Sequence, residues 1–218
     1  MEKTGLSLQA YNDIKQLIVN GEIKAGQRIT EVELQKRLNI GRTPIRDALH
    51  ELARDKLVVI RPRFGVQVST ITPKKIREIF EVRKMIEPAA LYEYMDKLDT
   101  EWLKGIREDF NVIIDKNSPN LEEEIRSQAE IDNKFHRTIT DLCDNEYINS
   151  LYDSMFAYIN IMRIEVSHNV ERFNESNKEH IDIIDYIFDG DKDEARKILA
   201  EHLDKSYKQA IFDMCGLA

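Results

Sequence analysis

Cysteine is scarce in this chain: Cys143 and Cys215 are the only two among 218 residues. They form neither a metal-type pair nor a disulfide framework, so a reducing compartment is expected. Long apolar runs are missing too, and none approaches the length of a membrane span. The first residues, Met1-Glu2-Lys3-Thr4-Gly5, hold no signal-peptide h-region. These absences point to the cytoplasm and away from any membrane. There is no internal repeat, no low-complexity segment and no HExxH, which removes solenoids, disordered tails and the common zinc-peptidase signature.

What is present describes a globular chain with real cores: 42% hydrophobic and 33% charged residues. The length permits one large domain or two small ones. The net charge of -8 conceals an asymmetry, because residues 1–72 hold 12 Lys+Arg against 8 Asp+Glu while residues 73–218 hold 20 against 32. Lys36 to Arg63 alone contributes eight basic residues against three acidic ones. A basic N-terminal third on an acidic body suits a nucleic-acid module joined to a part that avoids phosphates.

The basic segment centres on Gly41-Arg42-Thr43-Pro44-Ile45-Arg46-Asp47-Ala48-Leu49. Thr43 is expected to cap a helix there, with Pro44 tolerated in the first turn. Ile45, Ala48, Leu49 and Leu52 share its apolar face, and Arg42 and Arg46 point away from it. An earlier helix is expected from a Ser7 cap to Asn20, burying Leu8, Tyr11, Ile14, Leu17 and Ile18 and stopping at Gly21. Thr30-Glu31-Val32-Glu33 has capping-box spacing and opens a short helix through Leu34 and Leu38. Asn39-Ile40-Gly41 then turns into the arginine helix, so the pair reads as a helix-turn-helix. Val58-Val59-Ile60 and Val66-Gln67-Val68 flank a turn, forming a hairpin with Arg61, Arg63 and Gly65 at its tip. Beside a helix-turn-helix, such a hairpin reads as a wing that reaches phosphates or the minor groove.

Leu34 to Leu57, with Arg42-Thr43-Pro44-Ile45-Arg46-Asp47-Ala48-Leu49 at its centre, resembles the winged helix of GntR-family bacterial transcription regulators. The resemblance implies that Arg42, Thr43 and Arg46 touch operator DNA. Two departures stand out: Asn39-Ile40-Gly41 replaces the usual Gly-Val-Ser, and Val32 stands where some members have an arginine.

From Thr72-Pro73 onward the pattern is helical, with no convincing strand. Pro88 is expected to split the first helix into 73–86 and 88–97. Further helices are expected at 101–117, 121–142, 145–168, 174–189 and 191–213, packed as an antiparallel all-α bundle. The chain therefore reads as mainly α, with a winged helix-turn-helix at 1–70 and a helical domain at 73–218.

Polar residues interrupt the apolar stripes of that domain. Asp132 and His136 fall in line with Ala129 and Ile139, His180 with Ile184 and Ile187, and His202 follows Ile198 and Leu199. Buried unpartnered, such groups are costly, and one divalent cation would satisfy all four. A purely structural polar cluster is the alternative. His50 and His168 lie off the pattern and read as surface residues.

Asp132-Asn133-Lys134-Phe135-His136, Glu179-His180, Gly190-Asp191 and His202-Leu203 resemble the ligand-binding FCD domain of the FadR subfamily, of VanR-like length. The resemblance implies a divalent metal (Zn, Ni or Mn) held by Asp132, His136, His180 and His202. Arg83, in line with Ile76, Ile79 and Phe80, is implied to face the effector. Arg163, in line with Tyr152, Phe156 and Ile159, is either a second effector contact or half of an internal salt bridge. The expected protein is a homodimeric repressor, not an enzyme, that binds double-stranded operator DNA and senses a small carboxylate. Two alternatives stay open: the metal itself is the signal, or the helical part is a metal-dependent hydrolase.

Overall fold

The computed structural model describes residues 5–61, 64–115, 121–166 and 170–215. The side chains of 114–115, 121–126, 157, 163–166 and 170–171 lie outside that description. The chain clusters into two units, Met1–Ile71 with Phe156–Ile161, and Thr72–Met155 with Met162–Ala218.

The first unit contains α1 (Gly5–Val19), β1 (Arg28–Ile29), α2 (Glu31–Leu38), α3 (Arg42–Arg54), β2 (Val58–Arg61) and β3 (Gly65–Val68). The capping box at Thr30 and Glu33 forms as expected, and Asn39 ends α2 at φ 53° in the left-handed region that asparagine tolerates. Ile45, Ala48, Leu49 and Leu52 form the buried face of α3. They meet Ala10, Ile14 and Ile18 of α1 and Leu34 of α2 in one core. The hairpin is antiparallel, pairing Val58 with Val68 and Arg61 with Gly65.

Four details differ from expectation. Ser7 lies inside α1, buried, with its Oγ donating to Asp47 Oδ2 at 3.3 Å. The buried face of α1 accordingly runs Ser7, Ala10, Ile14, Ile18, and Leu8 is exposed. Gly41, not Thr43, is the N-cap of α3, without a side-chain cap bond, because the helix starts one residue before the threonine. The sheet gains a third strand, β1, on the far side of β3 through Arg28–Gln67 and Ile29–Val66. Two residues carry no readable alternation, so only the pairing reveals it.

The second unit contains α4 (Pro73–Tyr94), a 3-10 turn at Met95–Lys97, α5 (Thr100–Asp115), α6 (Leu121–Asp141), α7 (Glu146–Val166, of which Phe156–Ile161 clusters with the first unit), α8 (Val170–Phe188) and α9 (Lys192–Met214). Thr72 caps α4 by accepting from the Lys75 amide at 3.2 Å, with Pro73 at the first position. Asp191 caps α9 through the Glu194 amide at 3.1 Å. Helix α9 packs on α4 and α8, and α5 and α6 close the bundle around Phe80, Phe110 and Phe135.

Pro88 does not split α4, which runs unbroken to Tyr94. A proline inside a helix costs about 3 kcal/mol, and here burial of the apolar Pro88, Ala90 and Leu91 on one side offsets it. Helix α8 starts at Val170, four residues before the expected position, and its first turn is held by Arg172, which bonds Glu179 and Ser206.

Candidate metal centre and nucleic-acid interface

Asp132 and His136 stand one turn apart on α6, and the i to i+4 spacing puts both on its inner face. His180 comes from the middle of α8 and His202 from the middle of α9. Packing brings one ligand atom of each to within 4.8 Å of all the others, and all four residues are buried. His136 Nε2 lies 3.2 Å from His180 Nε2 and 3.5 Å from Asp132 Oδ2, and His180 Nε2 lies 3.3 Å from Asp132 Oδ1. Phe110 stacks on His180 at 4.5 Å between ring centroids, and Phe135 meets both His136 and His180 edge-on.

The opposite ring nitrogens decide the tautomers. His180 Nδ1 faces the Ser176 carbonyl at 2.7 Å, which can only accept, so this nitrogen carries the proton. His136 Nδ1 donates to Glu87 Oε2 at 2.6 Å, and His202 Nδ1 to Glu179 Oε2 at 2.8 Å, for the same reason. Burial holds His136 below its ordinary value and His202 down at about 4, against the pull of Glu87 and Glu179, so neither is protonated near neutrality. With their Nδ1 protons committed outward, the neutral His136 and His202 leave Nε2 free to accept, and His180 Nε2 and the Asp132 carboxylate converge on the same place. The donor set fits a divalent metal.

Glu87 and Glu179 hold two of these histidines, a role that the sequence reading gave to neither. Each joins a histidine to an arginine. Glu87, fully buried on α4, accepts from Arg83 Nε at 2.6 Å as well as from His136. Burial would raise its carboxyl, but Arg83 and His136 outweigh burial and hold it at about 2. Glu179 accepts from Arg172 Nη1 at 2.8 Å and Nη2 at 2.7 Å, and from Lys205 Nζ at 3.0 Å. Burial again opposes the charge, and His202, Arg172 and Lys205 keep its carboxyl well below the usual range. The signals were faint: Glu87 stands one turn after Arg83, and Glu179 directly precedes His180.

A cavity of about 80 Å³ opens beside the four residues, lined by Asp132, His202, Arg83 and Arg172 among others. At roughly 10–15 Å³ per water-sized group, it holds a small molecule. Arg83, expected to face an effector, lines this cavity while its Nε is committed to Glu87. The side chain of Arg163 lies outside the described residues, as does His168. His50 is exposed, as expected.

The first unit presents the other candidate surface. Arg42, Thr43 and Arg46 are exposed on the first turns of α3, and Arg42 Nε meets Glu31 Oε2 at 3.2 Å with its side chain still 75% accessible. Arg61 is exposed at the end of β2, and Arg63 lies outside the described residues. Gly65 has a backbone reason of its own: its φ is +83°, and a Cβ there would stand 3.2 Å from the Ile29 carbonyl oxygen. Phe64 is exposed beside it, with the Arg28 guanidinium 5.8 Å from its ring centroid, so β1 adds a cation that the sequence reading did not name.

Comparison with known proteins bears on both surfaces. Residues 78–205 match the family described as the FCD domain, and residues 6–68 match bacterial regulatory proteins, gntR family. The Gluconate operon transcriptional repressor of Bacillus subtilis (strain 168) is 28% identical over 179 residues, spanning 79% of this chain and 72% of its own. A GntR transcriptional regulator from Rhodococcus sp. RHA1 shares the fold at a TM-score of 0.83 and 19% identity, over 95% of this chain and 98% of its own. The FCD domain of TM0439, 29% identical, has been solved metal-free and with Zn2+ bound. Its two forms give TM-scores of 0.58 and 0.54 over 68% and 67% of this chain and 99% and 98% of theirs.

Proposed function

The chain belongs to the GntR family of bacterial regulatory proteins that carry an FCD domain, and from that premise we propose that it is a metal-containing repressor released or engaged by a small carboxylate. It is a transcription regulator, not an enzyme, so the hydrolase alternative falls. A regulator that meets operator DNA acts in the cytoplasm, and among the described residues no helix is long and apolar enough to cross a membrane.

Asp132, His136, His180 and His202 hold a divalent ion, Zn2+, Ni2+ or Mn2+, and the convergence of their ligand atoms in a buried pocket carries this reading. The bound form of the TM0439 domain supports it. When present, the ion offers a Lewis-acidic position to a carboxylate. Glu87 and Glu179 fix the ring orientation of His136 and His202 and keep each Nδ1 protonated. Arg83 and Arg172 supply further guanidinium donors to the cavity. Their presence favours an acid as the signal over the metal alone.

In the first unit Arg42, Thr43 and Arg46 meet base edges in the major groove, while Arg61, Arg63 and the Gly65 turn approach the backbone. A homodimer would match two operator half-sites. An acid that favours one arrangement of the dimer would shift operator affinity by its differential binding. Titration of operator DNA with the metal-loaded and the chelator-treated chain, each with and without short carboxylic acids, tests the reading. An acid effect confined to the loaded form is expected. Purified protein without a bound ion would sink the metal assignment.

A further inference from the structure

Away from its arginines, the cavity beside the four ligands is largely apolar. Phe80 of α4, Met162 of α7, Phe173 of α8 and Ala210 of α9 line it. Three of the four neutral polar side chains on its wall already serve the protein, Ser176 being the fourth. Gln128 Nε2 donates to Asn177 Oδ1 at 3.0 Å, Gln209 Nε2 donates to Asp213 Oδ1 at 2.6 Å, and Ser206 Oγ accepts from Arg172 Nη2 at 3.1 Å. Asp213 offers a ligand little, since Gln209 takes Oδ1 and Oδ2 is shut from solvent. The charged end and the apolar wall adjoin, with the Arg83 guanidinium 5.4 Å from the Phe80 ring centroid. Binding pockets are commonly built this way, apolar walls holding the body of a ligand and a few polar groups fixing its orientation.

We propose that the effector is a compact monocarboxylic acid with a bare hydrocarbon tail, its carboxylate at the arginine end and its tail against Phe80, Met162, Phe173 and Ala210. The proposal rests on the reading that this cavity takes an acid. The volume sets the size: about 80 Å³, at roughly 10–15 Å³ per water-sized group, accommodates about five to eight heavy atoms. The walls set the chemistry. A hydrocarbon tail leaves water for aromatic and aliphatic neighbours, which is favourable in proportion to the area covered. An acid of the same shape with a hydroxyl in place of a methyl gives up its water for a wall whose polar groups are mostly taken. Hydroxy acids and sugar acids are therefore disfavoured.

Calorimetric titration of the full-length, Zn2+-loaded chain with two matched pairs tests this: 3-methylbutanoate against 3-hydroxybutanoate, and pentanoate against 4-hydroxybutanoate. Within each pair a methyl group replaces a hydroxyl at equal atom count. The hydrocarbon member should bind about tenfold tighter, the size of an unmet buried hydroxyl. In Phe173→Ala, with zinc content checked, the ratio should narrow below about threefold, because a wall that the tail covers is gone while the carboxylate end is kept. Phe173 is half-buried, and Ala210→Ser, which adds a hydroxyl to the same wall at little cost in volume, should narrow the ratio as well. Equal affinities within the pairs, or tighter binding of the hydroxy acids, would overturn the proposal while leaving the acid reading intact. A ratio undiminished in both variants would overturn it too. Silence from all four acids in the wild type removes the effector reading itself, and this proposal with it.

Discussion

Arg42 and Arg46 stand exposed at the head of α3, while Arg83 and Arg172 in the helical unit are each drawn onto a buried glutamate. The same side chain does two jobs because its solvation differs. On a surface the guanidinium keeps much of its water, so its charge costs folding little and stays accessible to another molecule. Inside, the charge must be met within the chain or folding suffers. Arg83 and Glu87 meet at 2.6 Å with almost no exposure, whereas Arg54 and Glu51 meet at 3.0 Å with the arginine largely accessible. Similar distances therefore carry very different energies.

Substitutions in each class sharpen that contrast. The largest effect belongs to the buried polar core: His202→Ala should lose its ion, with metal affinity falling more than the roughly 10–100-fold typical of an outer partner. Elemental analysis after dialysis reads this out, and operator binding of the apo form should survive. Glu87→Gln comes next. It leaves Arg83 charged in a dry site and frees the His136 ring, so stability should fall by about 3–5 kcal/mol in urea melts and metal affinity by about 10–100-fold.

Arg46→Ala should leave the melt unchanged yet cost about 1–3 kcal/mol at particular operator positions. Uniform binding across operator variants, equal to wild type, would remove α3 from base reading. The smallest effect is expected for Arg54→Ala, about 0.2–1 kcal/mol of stability and further reduced by salt. If Arg54→Ala matched Glu87→Gln in the melt, the distinction between the two kinds of arginine would be wrong.

Much of this was legible in the linear order of residues. The capping box at Thr30, the left-handed Asn39, the buried face of α3 and the hairpin strands each depend on neighbours within four positions. The four ligand candidates were visible because polar residues broke an apolar stripe. What escaped depended on distant partners. Ser7 left its expected capping role for Asp47, forty residues on. Pro88 stayed inside a helix whose packing outweighs the local cost, and β1 exists only because β3 pairs with it. Glu87 meets His136 across 49 positions, a match no periodicity encodes.

Residue spacing alone settled most of the helices, the helix-turn-helix with its hairpin and the identity of the groups that must avoid bare burial, since helical period and capping chemistry act over a few bonds. Three-dimensional packing alone decided that those groups share one point and that glutamates orient the imidazoles. Convergence of side chains from separate helices is set by how the helices cross, and that is a property of the assembled core, not of any one segment.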